Sequence, residues 1–192
     1  MASETKVMPP GIFASDYKTK LLRTLDTLDL DTIGQAVEML REAREHNRHI
    51  FVCGNGGSAS TASHFVCDMV KGASQRDPRF RIMALTDSLP TLTAYSNDVG
   101  YECVFTEQLR NFAQKDDVVI ALSGSGNSAN VVNALDYANS IGCQTIALTG
   151  RDGGKLGPLA KLEIHVADPH MGRIEDGHMI ACHMLCYYFM EN

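Results

Sequence analysis

Two glycine- and serine-rich loops, Gly54-Asn55-Gly56-Gly57-Ser58 and Ser123-Gly124-Ser125-Gly126-Asn127-Ser128, each follow a short apolar run and open a helical pattern. The runs are His49-Ile50-Phe51-Val52-Cys53 and Asp117-Val118-Val119-Ile120-Ala121-Leu122. A strand that is apolar almost throughout is buried on both faces, as in a parallel sheet layered by helices. Further strands are expected at Arg81–Leu85, Gln144–Thr149 and Leu162–Val166. Helices are expected at Ala59–Val70, around Leu92–Tyr95, and at Phe105–Phe112, Ala129–Ile141 and Ile174–Phe189. This alternation predicts an α/β, doubly wound parallel sheet with helices on both faces.

Ahead of the first strand, Leu21, Leu22, Leu25 and Leu28, then Ile33, Ala36, Val37, Leu40 and Ala43, recur at helical spacing. They predict two extra N-terminal helices outside the sheet proper, with Asp29 or Asp31 capping the second. At 192 residues the chain is read as a single domain, 1–192, with 15–47 as a helical extension.

In a parallel sheet, ligands sit beyond the carboxyl ends of the strands, where both loops lie. Unpaired N–H groups and the helix dipole favour an anion there. Ser58, Ser123, Ser125 and Ser128 can add hydroxyl donors, although Ser128 is equally suited to capping its own helix. The first loop is not a nucleotide fingerprint. Ala59 stands at the third glycine position of G-x-G-x-x-G, and no G-K-[ST] follows. The net charge of -6 and the lack of a Lys/Arg run exclude a nucleic-acid groove, while backbone donors still suit a phosphate. No run of roughly 18 apolar residues spans a membrane, and MASETKVMPPGIF lacks the apolar core of an export leader. The six cysteines form no C-x-x-C pair and read as reduced thiols, which suits a cytoplasmic location.

His64 and Asp68 are four residues apart, on one helix face, and form either a solvated polar pair or a pair sharing a proton or a metal. The last helix offers Glu175, Asp176, His178 and His183. Spacing alone pairs Asp176 with His183 and Glu175 with His178.

The two loops, Asn97-Asp98, Thr149-Gly150-x-Asp152-Gly153-Gly154-Lys155 and Arg173-Ile174-Glu175 together resemble the sugar isomerase (SIS) domain superfamily and, within it, the phosphoheptose isomerases, over nearly the whole chain. The resemblance implies a flavodoxin-like five-stranded sheet and a homotetramer with sites at subunit interfaces. It implies phosphate held by Ser58, Ser123, Ser125 and Ser128. Asn55, Gly56, Gly57, Gly124, Asn97 and Asp98 would contact or shape the sugar site. From the last helix it selects Glu175, placed in the first turn, and His183. With His64 and Asp68 these would bind zinc, and Asp68, Glu175 and His183 would be catalytic. The chain departs from the family pattern in having Asp68 for the usual Glu, Glu175 for the usual Gln, and Gly172 where an aspartate often stands. The implied reaction interconverts sedoheptulose 7-phosphate and D-glycero-D-manno-heptose 7-phosphate through an enediol. The alternatives are an isomerase of another phosphosugar and a non-catalytic phosphosugar-binding or scaffold protein.

Overall fold

The computed structural model describes residues 7–192. The reading of the N-terminus as leaderless rests partly on residues 1–6, outside the described residues. Five parallel strands, β1 (His49–Gly54), β2 (Arg81–Ala84), β3 (Val118–Ser123), β4 (Gln144–Gly150) and β5 (Leu162–Val166), lie in the order β2-β1-β3-β4-β5. Burial follows position in the sheet. The central β3 is buried at every residue, whereas edge strands β2 and β5 alternate with more exposed residues.

Successive side chains point to opposite faces, so each strand serves two cores. Ile50, Val52, Ile120, Leu122, Ile146 and Leu148 face one core, with apolar residues of α2 (Leu30–Glu45), α3 (Gly57–Lys71) and α7 (Met171–Glu191). Phe51, Val119, Ala121 and Ala147 face the other, with α5 (Val104–Phe112) and α6 (Ala129–Ser140), while Leu92 and Tyr95 of α4 (Leu89–Asp98) pack at its margin. A single 3-10 turn, Tyr101–Cys103, separates α4 from α5.

Of the two candidate caps, Asp29 is the one used: it accepts from Asp31 N and Thr32 N at 3.0 and 3.3 Å. The α2 stripe Ile33, Ala36, Val37, Leu40 and Ala43 belongs to the main core, so α2 lies across the sheet rather than beside it. The first helix, α1 (Pro10–Leu25), begins earlier than its leucine pattern, because Pro10 pre-sets the first helical turn. It docks on α7. Tyr17 Oη donates to Asp176 at 2.6 Å and Thr24 donates to Asp168. Arg173 grips Asp168 through two 2.7 Å bonds. That guanidinium holds the Asp168 carboxyl well below the usual carboxylate range.

Helices α3 and α7 follow parallel strands on one face and run side by side at a nearly constant register. His64 meets His183 at a separation of 119 residues, and Asp68 meets Cys186 at 118. Gly57 lies against Glu175, and Gly72 against Met190. No helix among the described residues is long and apolar enough to cross a membrane.

His178 is buried on α7, with Nε2 2.9 Å from the Thr149 carbonyl and Nδ1 without a partner among the described residues. Burial pushes its pKa down to about 4. The unfolded chain therefore binds a proton near pH 6.5 that the folded chain refuses, and this group lowers stability as pH falls from 6.5 to 4. Its share reaches at most ~3 kcal/mol. Urea melts at pH 7 and 4.5 should show a smaller acid loss in His178→Gln than in the wild type. Identical losses would sink this account.

Candidate active site

Strands β1 and β3 are neighbours although β2 lies between them in sequence, and Gly54 pairs with Leu122. The chain winds outward in opposite directions from this pair, which makes it the topological switch point, where open α/β sheets bind ligands. Both glycine- and serine-rich loops leave the sheet there. A reciprocal amide pair ties them together: Asn55 Nδ2 donates to Asn130 Oδ1 at 2.8 Å, and Asn130 Nδ2 donates to Asn55 Oδ1 at 2.9 Å. Tyr101 Oη donates to the same Asn55 oxygen at 2.7 Å.

On the second loop Ser123 Oγ lies 3.2 Å from Ser128 Oγ and 3.5 Å from Ser125 Oγ, so three hydroxyls converge. Ser128 does not cap α6 with its side chain, which removes the capping alternative. Helix α3 likewise starts without a side-chain cap, from Gly56 at φ 54°, a left-handed conformation that glycine adopts freely. Neither N-cap residue thus closes its helix start at this crevice, although Val131 N of α6 donates to Asn130 Oδ1 at 3.0 Å. Ser58 is buried in the first turn of α3 against Gly54. Gly57 and Gly124 sit in the same two loops, while Asn97 and Asp98 lie exposed at the end of α4, with Asn97 Nδ2 donating to Asp98 at 2.7 Å.

The turn after β4 braces the second loop. Leu156 N donates to Gly126 O at 2.9 Å and Lys155 N to Asn127 Oδ1 at 3.3 Å. Gly126 itself has φ 63°, and a Cβ there would stand 2.0 Å from Gly153 O.

Along the seam of α3 and α7, His64, Asp68 and His183 form one cluster. The Nε2 atoms of the two imidazoles are 3.1 Å apart. Asp68 Oδ2 lies 3.2 Å from His64 Nε2 and 3.8 Å from His183 Nε2. Zinc bonds of 2.0–2.1 Å give a tetrahedral edge of about 3.3 Å, so these donors fit a divalent cation in type and spacing. Both histidine side chains are nearly half exposed, at 48% and 42%.

Glu175 is not in this cluster. Helix α7 begins at Met171 rather than Ile174, which puts Glu175 in the second turn instead of the first. Its carboxylate lies against Gly57, where an added Cβ would be 2.5 Å from Oε1. The pairing of Asp176 with His183 also fails. One stripe of α7 meets α1 near its start and α3 further on, so Asp176 binds Tyr17 while His183 meets His64. The Tyr17 hydroxyl fills the space beside Gly172, 3.0 Å from where a Cβ would stand. His178 points into the core.

Sequence reasoning missed Asn130 and Tyr101. Asn130 offered a faint signal as a polar residue directly after the second loop. Tyr101 offered none, since its contact with Asn55 spans 46 residues.

A doubly wound sheet with paired serine loops at its switch point defines a SIS-domain protein, and the SIS domain family matches residues 15–150. The phosphoheptose isomerase of Helicobacter pylori (strain P12) is 38% identical over 170 residues, 88% of each chain. The solved phosphoheptose isomerase of Neisseria gonorrhoeae superposes with a TM-score of 0.88 at 31% identity, over 96% of this chain and 100% of that one. The Francisella tularensis phosphoheptose isomerase gives 0.89 at 26% identity over the same shares. The chain belongs to the phosphoheptose isomerase family.

Gly126→Ala adds left-handed strain and a backbone clash, a cost of roughly 2–4 kcal/mol. Urea melts should show this loss, and titration with inorganic phosphate should show a weakened cradle. An unchanged midpoint with unchanged phosphate affinity would refute the bracing role.

Proposed function

We propose that the chain is an aldose–ketose isomerase that converts sedoheptulose 7-phosphate to D-glycero-D-manno-heptose 7-phosphate. The observation that carries this reading is a serine-rich crevice at the start of α3, which we read as a phosphate cradle, with a His–Asp–His cluster two turns further along the α3/α7 seam. Residues 57 and 64 are separated by about 10 Å of helix rise. An extended seven-carbon chain spans roughly 8 Å from C1 to C7, and the phosphate ester adds a little more. A phosphate at the cradle therefore brings C1 and C2 to the cluster.

The serine hydroxyls and free amides hold the phosphoryl group, and Asn55, fixed by Asn130 and Tyr101, orients the sugar hydroxyls. Asp68 turns Oδ2 toward the two imidazoles, and Oδ1 makes no hydrogen bond with any described residue. Oδ1 takes the C1 proton of the ketose and returns it at C2, with the enediol between. His183 moves the accompanying proton between O1 and O2. His64, Asp68 and His183 are the residues that would hold zinc, whose chemistry when bound is to polarise the carbonyl, and His183 carries the proton when its Nε2 is not a ligand.

Glu175 stands eight residues, about 12 Å of helix rise, from His183, so one subunit does not assemble the four-residue set that the family resemblance implies. A homotetramer with sites between subunits supports that set by bringing in a second copy's carboxylate. Exposed Val70, Met184 and Tyr187 on the same two helices suit a protein contact. We read the chain as one SIS domain with 15–47 as its helical extension, acting in the cytoplasm. The six free cysteines, with Cys53 pushed up to about 12 by burial, suit a reducing compartment.

Asp68→Asn should lower turnover of sedoheptulose 7-phosphate by about 10²–10⁴-fold without loss of fold. Glu175→Gln should retain far more. The reverse ranking would move the base to Glu175, and full activity in Asp68→Asn and His183→Ala together would refute the site. In a chelator-competition titration of the metal-free protein, His64→Ala and His183→Ala should each weaken zinc binding at least tenfold. Wild-type affinity in both would show that these side chains are not ligands.

A further inference from the structure

We propose that Arg151 is the cationic arm of the phosphate site, reaching over the serine cradle to the phosphoryl group; this rests on the phosphosugar reading above. Ser123 and Thr149 are paired across β3 and β4, so Arg151, two residues on, leaves the sheet beside the second loop. With Ser125, Asn127 and two acids, Asp152 and Asp168, it lines an open cleft of about 660 Å³.

The backbone supplies an independent observation. Arg151 has φ 55°, in the left-handed region. The other non-glycine residues there are Asn47 and Asp116, types whose short polar side chains tolerate it. Arginine has no such device, and strain at a bulky residue is kept where its side chain is used. The guanidinium makes no hydrogen bond or ion pair with any described residue, and both acids of the cleft are engaged. Asp168 is clamped by Arg173, and Asp152 accepts from Gly154 N at 3.2 Å.

The charge balance points the same way. A helix start contributes about +0.5, and that of α3 is faced by Glu175. A phosphate monoester brings about −1.5 to −2. Hydroxyls and amides orient such a group without neutralising it. Arg151 adds a full positive charge and a planar fork matched to phosphate oxygens. Lys155, also in this turn, does not line the cleft.

Calorimetric titration of the full-length protein with inorganic phosphate tests the assignment. Glycine accepts φ 55° without strain, so Arg151→Gly should keep or raise Tm while binding phosphate about tenfold more weakly. Arg151→Lys should recover part of the affinity, and the loss in Arg151→Gly should fall mainly on KM for the sugar phosphate. Wild-type phosphate affinity in Arg151→Gly, or a loss matched by a fall in Tm, would overturn the role of Arg151. A wild-type protein that binds no phosphate would instead overturn the cradle itself, which separates the two failures.

Discussion

The pairing of β1 with β3 is the constraint on which the rest depends. Because β2 is wound to the far side, two strand ends that are distant in sequence stand together, each feeding a helix on an opposite face of the sheet. Their helix starts therefore converge on one crevice from two directions. Neither start is closed by its own side-chain cap, although isolated helices gain stability from such caps. The local cost of leaving them open is sustained by two strands beneath, buried at every residue but His49, and by the Asn55–Asn130 amide pair between the loops. A crevice of donors held open by a rigid scaffold is the arrangement in which an anion completes the hydrogen bonding.

A second consequence of the winding is the parallel seam of α3 and α7. Two helices that follow parallel strands on one face must point the same way, and here they keep almost the same register for four turns. Chemistry placed at one height on α3 thus meets chemistry at the same height on α7. The start of the seam lies at Gly57 and Glu175, and the His–Asp–His cluster lies two turns further on. Below that, Cys186 Sγ lies 3.8 Å from the Asp68 carboxylate. The clamp of α1 through Tyr17, Asp168 and Arg173 fixes the first turns of α7, and so the height at which Glu175 meets α3.

What could be read from residues alone followed their range of action. The strands and most helices were legible because apolar period is local, and the loops were legible because glycine and serine carry their chemistry with them. Helix starts were less legible. Helix α7 begins at Met171, where no capping side chain marks it, and that shift of three residues moved Glu175 by most of a turn. The choice between Asp176 and Glu175 lay beyond spacing, since it depends on which neighbouring helix each height of α7 meets. His64 with Asp68 was visible as a helical pair, but their meeting with His183 is a tertiary fact. Asn130 and Tyr101 act through contacts that cross 75 and 46 residues.

If the phosphosugar is bound as proposed, the seam also gives the site a way to select chain length. On the proposed reading, the phosphate sits where the two loops meet the start of α3 and the reacting carbons sit two turns along the α3/α7 seam, so helix rise sets much of their separation. Removing one carbon from an extended substrate shortens it by roughly 1.3 Å, a misplacement large enough to weaken catalysis strongly even when the phosphate is fully bound. Discrimination of this kind falls on the chemical step, because the anion contacts are common to every phosphosugar and the alignment at Asp68 and His183 is not. On the proposed reading, the register of α3 against α7 is then a specificity element alongside Asp68 and His183.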